Sequence, residues 1–374
     1  MDATAKDRRD TLVRLVGWPA LAMAGTTGGG PALGGPGDLD PAFGEVGRAV
    51  GLPDGELWSL EVHDDESVQF GGGETEYCGY YSYDCGVFDT LGRLDALGGA
   101  DTVFAAGNLE RTYVYDTALL EDGRLVGTGF SRSTSGRDRL TVFRLLPDGA
   151  LDTTFGLTGQ VMLAGGTGLD TGYSVLVEND GRIVVGGIRQ NSLMVVRFLA
   201  NGTLDATFGT GGEFRLTTPQ VSGSTRLASA PGGGYRVLAN VATDAGPRCS
   251  IVGLTSNGTQ DTTFGDGGVL PAPAGTPGPT YCNTFAVLPG GVMLVAGNAA
   301  PGGYVARILA DGAVDPTFDP APVADRLDDV SALAVGATGK LFVAGPGSGV
   351  AGTTIVRLLA SGLLDEAFGQ GGSM

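Results

Sequence analysis

The chain has a single histidine, His63, in 374 residues. Any Ser-His-Asp or Cys-His constellation would have to pass through that one side chain. His63 lies in LEVHDDESV, beside Asp64 and Asp65, where it reads as a strand or turn residue rather than a base. The four cysteines form no CxxC pair, which with one histidine excludes the usual zinc spacings. No GxSxG, HExxH or P-loop sequence occurs. The triplet Gly71-Gly72-Gly73 opens no helix, so it makes a poor phosphate cradle. Basic residues are few: 23 Lys plus Arg stand against 41 Asp plus Glu, a net charge of −18. That balance disfavours nucleic acid and anionic membrane as partners. No apolar run reaches the ~18 residues that a membrane-spanning helix needs. A 3.6-residue apolar period is also missing, so no helices are expected after the N-terminal leader.

What is abundant is glycine, with 67 residues spread along the chain, in a sequence that is 42% hydrophobic and only 17% charged. Such a chain buries a sizeable core and turns often, as all-β proteins do. Residues 1–24 differ from the rest. Arg8, Arg9 and Arg14 precede the apolar run LVGWPALAMA, which ends in two Ala-x-Ala sites. This is the layout of a signal peptide, cleaved after Ala22 or Ala24. A Gly/Pro-rich linker, 25–38, follows, and 39–374 form one domain. Export places the protein in the periplasm, at the cell surface or outside the cell, where disulfides form. We expect Cys78 to pair with Cys85, and Cys249 with Cys282.

Self-similarity organises the domain. LDPAFG at 39–44 returns as LDTTFG at 151–156, LDATFG at 204–209, QDTTFG at 260–265, VDPTFD at 314–319 and LDEAFG at 364–369; a degraded copy, LDALGG, stands at 94–99. Their aspartates are Asp40, Asp95, Asp152, Asp205, Asp261, Asp315 and Asp365, spaced 50 to 57 residues apart, and they bound six units. Within 152–205, four apolar stretches are separated by turns such as Asn179-Asp180-Gly181 and Asn201-Gly202, the strongest short hairpin signals. Four strands per unit, six times over, predict an all-β, six-bladed β-propeller of four-stranded blades. The repeated Asp is expected to accept local backbone N–H groups, and the Leu and Phe to plug the seam between blades. A ring of carboxylates for cations is the alternative role for these acids. An arginine lies eight residues before the Asp in four units, at Arg144, Arg197, Arg307 and Arg357, and suggests a repeated ion pair. Val87 and Gly253 stand at that spacing in units one and four.

These junctions resemble the delta-60 repeat family, whose pattern reads approximately LDxxFGxxG followed by a DG hairpin and an apolar strand. The resemblance covers 39–369 and departs from the pattern at Leu94–Gly99, Gln260 and Asp319. It implies a β-propeller of bacterial, often exported, proteins, and no reaction. No catalytic, cofactor or metal residue is assigned. The expected function is a binding or scaffold module for a protein or glycan. Its binding surface would be the end carrying the loops that vary most between repeats: Gly71–Gly86, Ser131–Asp138, Thr243–Arg248 and Gly345–Gly352. The alternative is a glycoside hydrolase or lyase using acids near the axis.

Overall fold

A computed structural model describes residues 56–374 apart from 64–66, 76–86, 96, 98, 102–103, 105–108, 110–111, 133–137, 164–169, 217–219, 245, 272–279, 300–301, 321–322, 337 and 351. The leader, the linker, Asp40, Cys78 and Cys85 therefore lie outside the described residues.

Alternation of apolar residues with tight Gly-containing turns makes antiparallel strands, and little else is present. The first sheet holds β1 (Glu56–Val62), β2 (Val68–Thr75) and β3 (Val87–Leu94). The second holds β4 (Thr112–Leu119), β5 (Leu125–Arg132), β6 (Asp138–Leu145) and β7 (Gln160–Met162). The third holds β8 (Asp170–Val177), β9 (Ile183–Arg189), β10 (Ser192–Phe198) and β11 (Glu213–Leu216). A seven-stranded sheet follows. Its two halves are β12 (Val221–Ser229) to β15 (Val269–Pro271), with β13 (Tyr235–Thr243) and β14 (Gly246–Leu254) between, and β16 (Thr280–Val287), β17 (Met293–Ala299) and β18 (Gly302–Ile308). One parallel bridge, Arg248 to Thr280, joins the halves. The last sheet holds β19 (Ala332–Val335), β20 (Leu341–Pro346) and β21 (Thr353–Leu358). A 3-10 turn spans Pro289–Gly291.

The chain is thus all-β with propeller-like sheets, but the strand count is not four throughout. Sequence unit and sheet are also offset by one strand. Gln160–Met162, which opens the unit beginning at Asp152, hydrogen-bonds to β6 of the preceding unit and forms the edge of that sheet. An LDxxFG junction therefore lies inside a sheet, between its third and fourth strands. A second correction concerns the first junction. Asp101 N–H donates to Arg93 O (2.8 Å), as Asp152 N–H does to Arg144 O (2.9 Å), and Leu94 bridges Ala100 as Leu145 bridges Leu151. The equivalent of Asp152 is thus Asp101, not Asp95, and its arginine is Arg93 rather than a vacancy at Val87. Asp95 instead caps the preceding turn, accepting the N–H groups of Leu97 and Gly99, both at 2.9 Å.

Period-two alternation sends neighbouring residues of one strand into different cores. Val184, Leu193 and Val195 pack with Val221, Val237 and Val252 of the next sheet, whereas Ile183, Val185, Met194 and Val196 pack with Val126, Leu140 and Val142 of the previous one. Each such sheet is buried on both faces, so it is stable only between neighbours. The first strands β1, β4, β8, β12, β16 and β19 pack against one another in succession. Among the described residues, the DG-type turns and junctions lie at one end of the strands; the β5–β6, β9–β10, β13–β14 and β20–β21 hairpins and the entries to the first strands lie at the other.

Candidate functional site

The junction end is built from one repeated cluster. Arg144 Nε donates to Asp152 Oδ2 at 2.7 Å, Arg197 to Asp205 at 2.8 Å, Arg307 to Asp315 at 2.7 Å and Arg357 to Asp365 at 2.7 Å. The same guanidinium covers the junction phenylalanine, Arg144 over Phe155 at 4.9 Å and Arg197 over Phe208 at 4.7 Å. Its Nη1 reaches the next turn, at Ala200 O (2.5 Å) or Ser256 O (2.7 Å). The other Asp oxygen accepts the N–H and hydroxyl of Thr154, Thr207, Thr263 or Thr317. Burial works to raise the Asp152 pKa, but hydrogen bonds from Thr154, Arg144 and Arg124 outweigh it and lower the pKa to about 2. Asp261 has Gly253 where the other units carry arginine. Arg236, the direct cross-strand partner of Gly253, takes over: it pairs with Asp261 at 3.5 Å and covers Phe264 at 4.0 Å. Every acid in this set is thus engaged within its own repeat. Among the described residues no group of three or more His, Cys, Asp or Glu is placed to hold a metal ion.

The loop end differs from repeat to repeat. The first strands β1, β4, β8, β12 and β16 are bulged there, and the residue at the bulge is Tyr115 in β4, Tyr173 in β8 and Asn283 in β16. A bulge re-aims side chains away from the regular pleat. Tyr115 and Tyr173 are half-buried, with ring centroids 4.8 Å apart and planes at 48°. Behind them Phe130 stacks on Tyr113 at 4.4 Å and meets Tyr115 at 6.0 Å. Arg132 covers Phe130 at 5.6 Å and donates to both oxygens of Asp138 (2.8 and 3.1 Å). Burial raises the pKa values of Tyr113 and Tyr173. Composition alone could not reveal this group, because its four aromatic rings come from three strands in two sheets.

Further round the same end, Asn283 donates to both oxygens of Asp329 (2.8 and 2.9 Å). Burial pushes the Asp329 carboxyl above its ordinary range. Cys249 and Cys282 form a disulfide, fully buried, between β14 and β16. His63 donates its backbone N–H to Ser67 O at 2.9 Å. A cleft of about 600 Å³ lies near the third sheet's outer strand, lined by Arg189, Glu213, Arg215 and Gln260 among others. Its charges are internally paired: Arg189 with Glu213 (2.8 Å) and Asp170 (3.3 Å), and Arg215 with Glu213 (3.1 Å).

Four segments, 120–155, 178–208, 289–318 and 336–368, match the model of a domain of unknown function (DUF5122) beta-propeller. Each begins at or beside the turn before a sheet's second strand and ends on a junction phenylalanine: Phe155, Phe208, Phe318 or Phe368. No curated protein matches the chain. Among solved structures, a gluconolactonase from Xanthomonas campestris is 16% identical over 85% of this chain and 96% of its own, with a TM-score of 0.40. A glucose dehydrogenase is 14% identical over 71% of this chain and 91% of its own, at 0.41. Prolyl oligopeptidase B from Galerina marginata is 10% identical over 82% of this chain and 43% of its own, at 0.49. The matched segments support a β-propeller repeat protein, described by that model rather than by the narrower delta-60 name.

Proposed function

We propose that the chain is an exported, six-bladed β-propeller that binds a saccharide at the loop end of its first strands. The observation that carries this reading is the Tyr115–Tyr173 pair, half-buried and backed by Phe130 and Tyr113. Paired aromatic faces with a polar tip suit the apolar faces and hydroxyls of a sugar ring. The opposite end repeats itself and spends its polar groups internally, which suits scaffolding. Binding to a glycan array, and its loss by at least tenfold on Tyr115→Ala plus Tyr173→Ala with an unchanged melting temperature, is the expected result. Loss of binding on substitution of junction aspartates alone overturns the assignment of the face. A blank array with tyrosine-dependent capture of a protein would change the ligand class to protein.

A second reading, a hydrolase or lyase, draws on Asp329, whose raised pKa suits a general acid. Release of reducing sugar that vanishes in Asp329→Asn would favour it. Export rests on the Arg-rich, apolar leader and fits the buried disulfide. Mass spectrometry of protein from its native host should find the N-terminus after Ala22 or Ala24; an intact Met1 or Asp2 counts against export.

A further inference from the structure

At the position after the bulge, the first strands carry Ser59, Asp116, Ser174 and Thr284, all small or short and polar. In β12 that position is Arg226. The β12 bulge is also longer by one residue: Gly223, Ser224 and Thr225 stand between Ser222 and Arg226, where β8 has only Gly172 and Tyr173 between Thr171 and Ser174. Gly223 has φ +73°, a conformation open to glycine at little cost. The strand is therefore built to place one arginine where its neighbours place hydroxyls.

Arg226 is only 8% exposed. Nη1 donates to the backbone carbonyls of Tyr173 (3.1 Å) and Thr225 (3.2 Å), while the buried Nε has no hydrogen-bond partner. Among the described residues no carboxylate comes within 4.0 Å of it. Asp116, the acid that interacts with it electrostatically, already accepts the N–H groups of Val175 (2.8 Å) and Thr117 (3.1 Å). The adjacent Thr225 Oγ1 is buried without a partner too. Taking a guanidinium out of water without a counter-ion is costly, and the buried junction arginines Arg144, Arg197 and Arg357 are each paired with an aspartate. With Nη1 occupied, the edge left to the guanidinium is Nε with Nη2, the side-on fork that matches a carboxylate. The acidic protein repels anions at long range, so an anion is held only by such a short-range, desolvated cation.

We propose that Arg226 seats the carboxylate of an acidic saccharide whose ring lies against Tyr173. This rests on the saccharide-binding reading and narrows it to a uronic-acid class. Calorimetric titration of the full chain with D-glucuronate and with D-glucose tests it. Glucuronate is expected to bind at least tenfold more tightly than glucose. Arg226→Met should bring the two within twofold, and Arg226→Lys should keep part of the preference because it retains charge without the fork. Thermal melts of both variants check folding, and if the Met variant melts early the Lys variant alone carries the comparison. Equal affinities for the two sugars, or a preference that survives both substitutions, overturn the anion seat while leaving tyrosine-dependent saccharide binding standing. Binding of neither sugar also overturns the seat; the glycan array then judges the platform separately.

Discussion

The junction aspartates Asp152, Asp205, Asp261, Asp315 and Asp365 are each tied at both oxygens, so their ionised forms are favoured in the folded chain. The pKa of Asp152 falls to about 2, and those of Asp205, Asp261, Asp315 and Asp365 are also lowered, chiefly by Thr207, Thr263 and Thr317 for the first three and by Lys340 for the last. A folded pKa below the unfolded one contributes stability above the unfolded value, and that contribution is lost as pH falls through the folded value. Urea midpoints should therefore hold near neutrality and drop together between about pH 4 and pH 2. Asp152→Asn should flatten that drop while lowering the plateau. The Arg236 substitute for a missing arginine gives a sharper case. Arg236→Met removes both the Asp261 pair and the cation over Phe264, and should cost about 2 kcal/mol by chemical denaturation. A loss below about 0.5 kcal/mol, the scatter of surface changes, would show that Arg236 is not an equivalent.

At the scale of the strand, the bulge demands a partner without a side chain. A Cβ on Gly129, Gly187 or Gly297 would overlap the carbonyl oxygen of Tyr113, Thr171 or Tyr281, two residues before the bulge residue of the first strand, and one on Gly345 would overlap that of Asp329, just before β19. β13 has Ala239 there, and β12 opposite it carries the extra bulge residue. Gly187→Ala should destabilise by about 3 kcal/mol, because backbone rather than a side chain must give way. The disulfide acts at the same scale. Cys249 and Cys282, 33 residues apart, join β14 to β16 where one parallel bridge links two halves of the sheet. Replacing both by alanine should lower stability by roughly 3–4 kcal/mol in the chain-entropy model, read as a shift in denaturant midpoint. An unchanged midpoint would mean that packing alone holds that seam.

For the whole molecule, buried faces on successive sheets require each sheet to have two neighbours, which a ring supplies and an open row does not. The first and last sheets should accordingly meet. Class averages from electron microscopy should show one ring of six lobes; five lobes, seven lobes or an open arc would refute it. A closed ring also brings the loop ends of all first strands round one mouth, the geometry on which saccharide binding by Tyr115 and Tyr173 depends.

Periodicity was readable from the chain itself. Glycine turns, apolar alternation and the recurring Asp and Phe dictate an all-β repeat protein, because these are local requirements of hairpins and of sheets buried on both faces. The eight-residue spacing from Arg to Asp was local too, and the structure shows what it does at Arg144, Arg197, Arg307 and Arg357. Phase was not local. Which sheet receives Gln160–Met162 depends on hydrogen bonding across the junction, and a strand pattern is the same on either side. The LDALGG string misled for a related reason: it copies the letters of the junction, whereas Asp101 holds the hydrogen bonds. The rescue of Gly253 by Arg236 depends on cross-strand register, and the loneliness of Arg226 on what burial removes from its surroundings. The tyrosine pair, likewise, joins residues 58 positions apart on neighbouring sheets, a contact made only when the sheets stack.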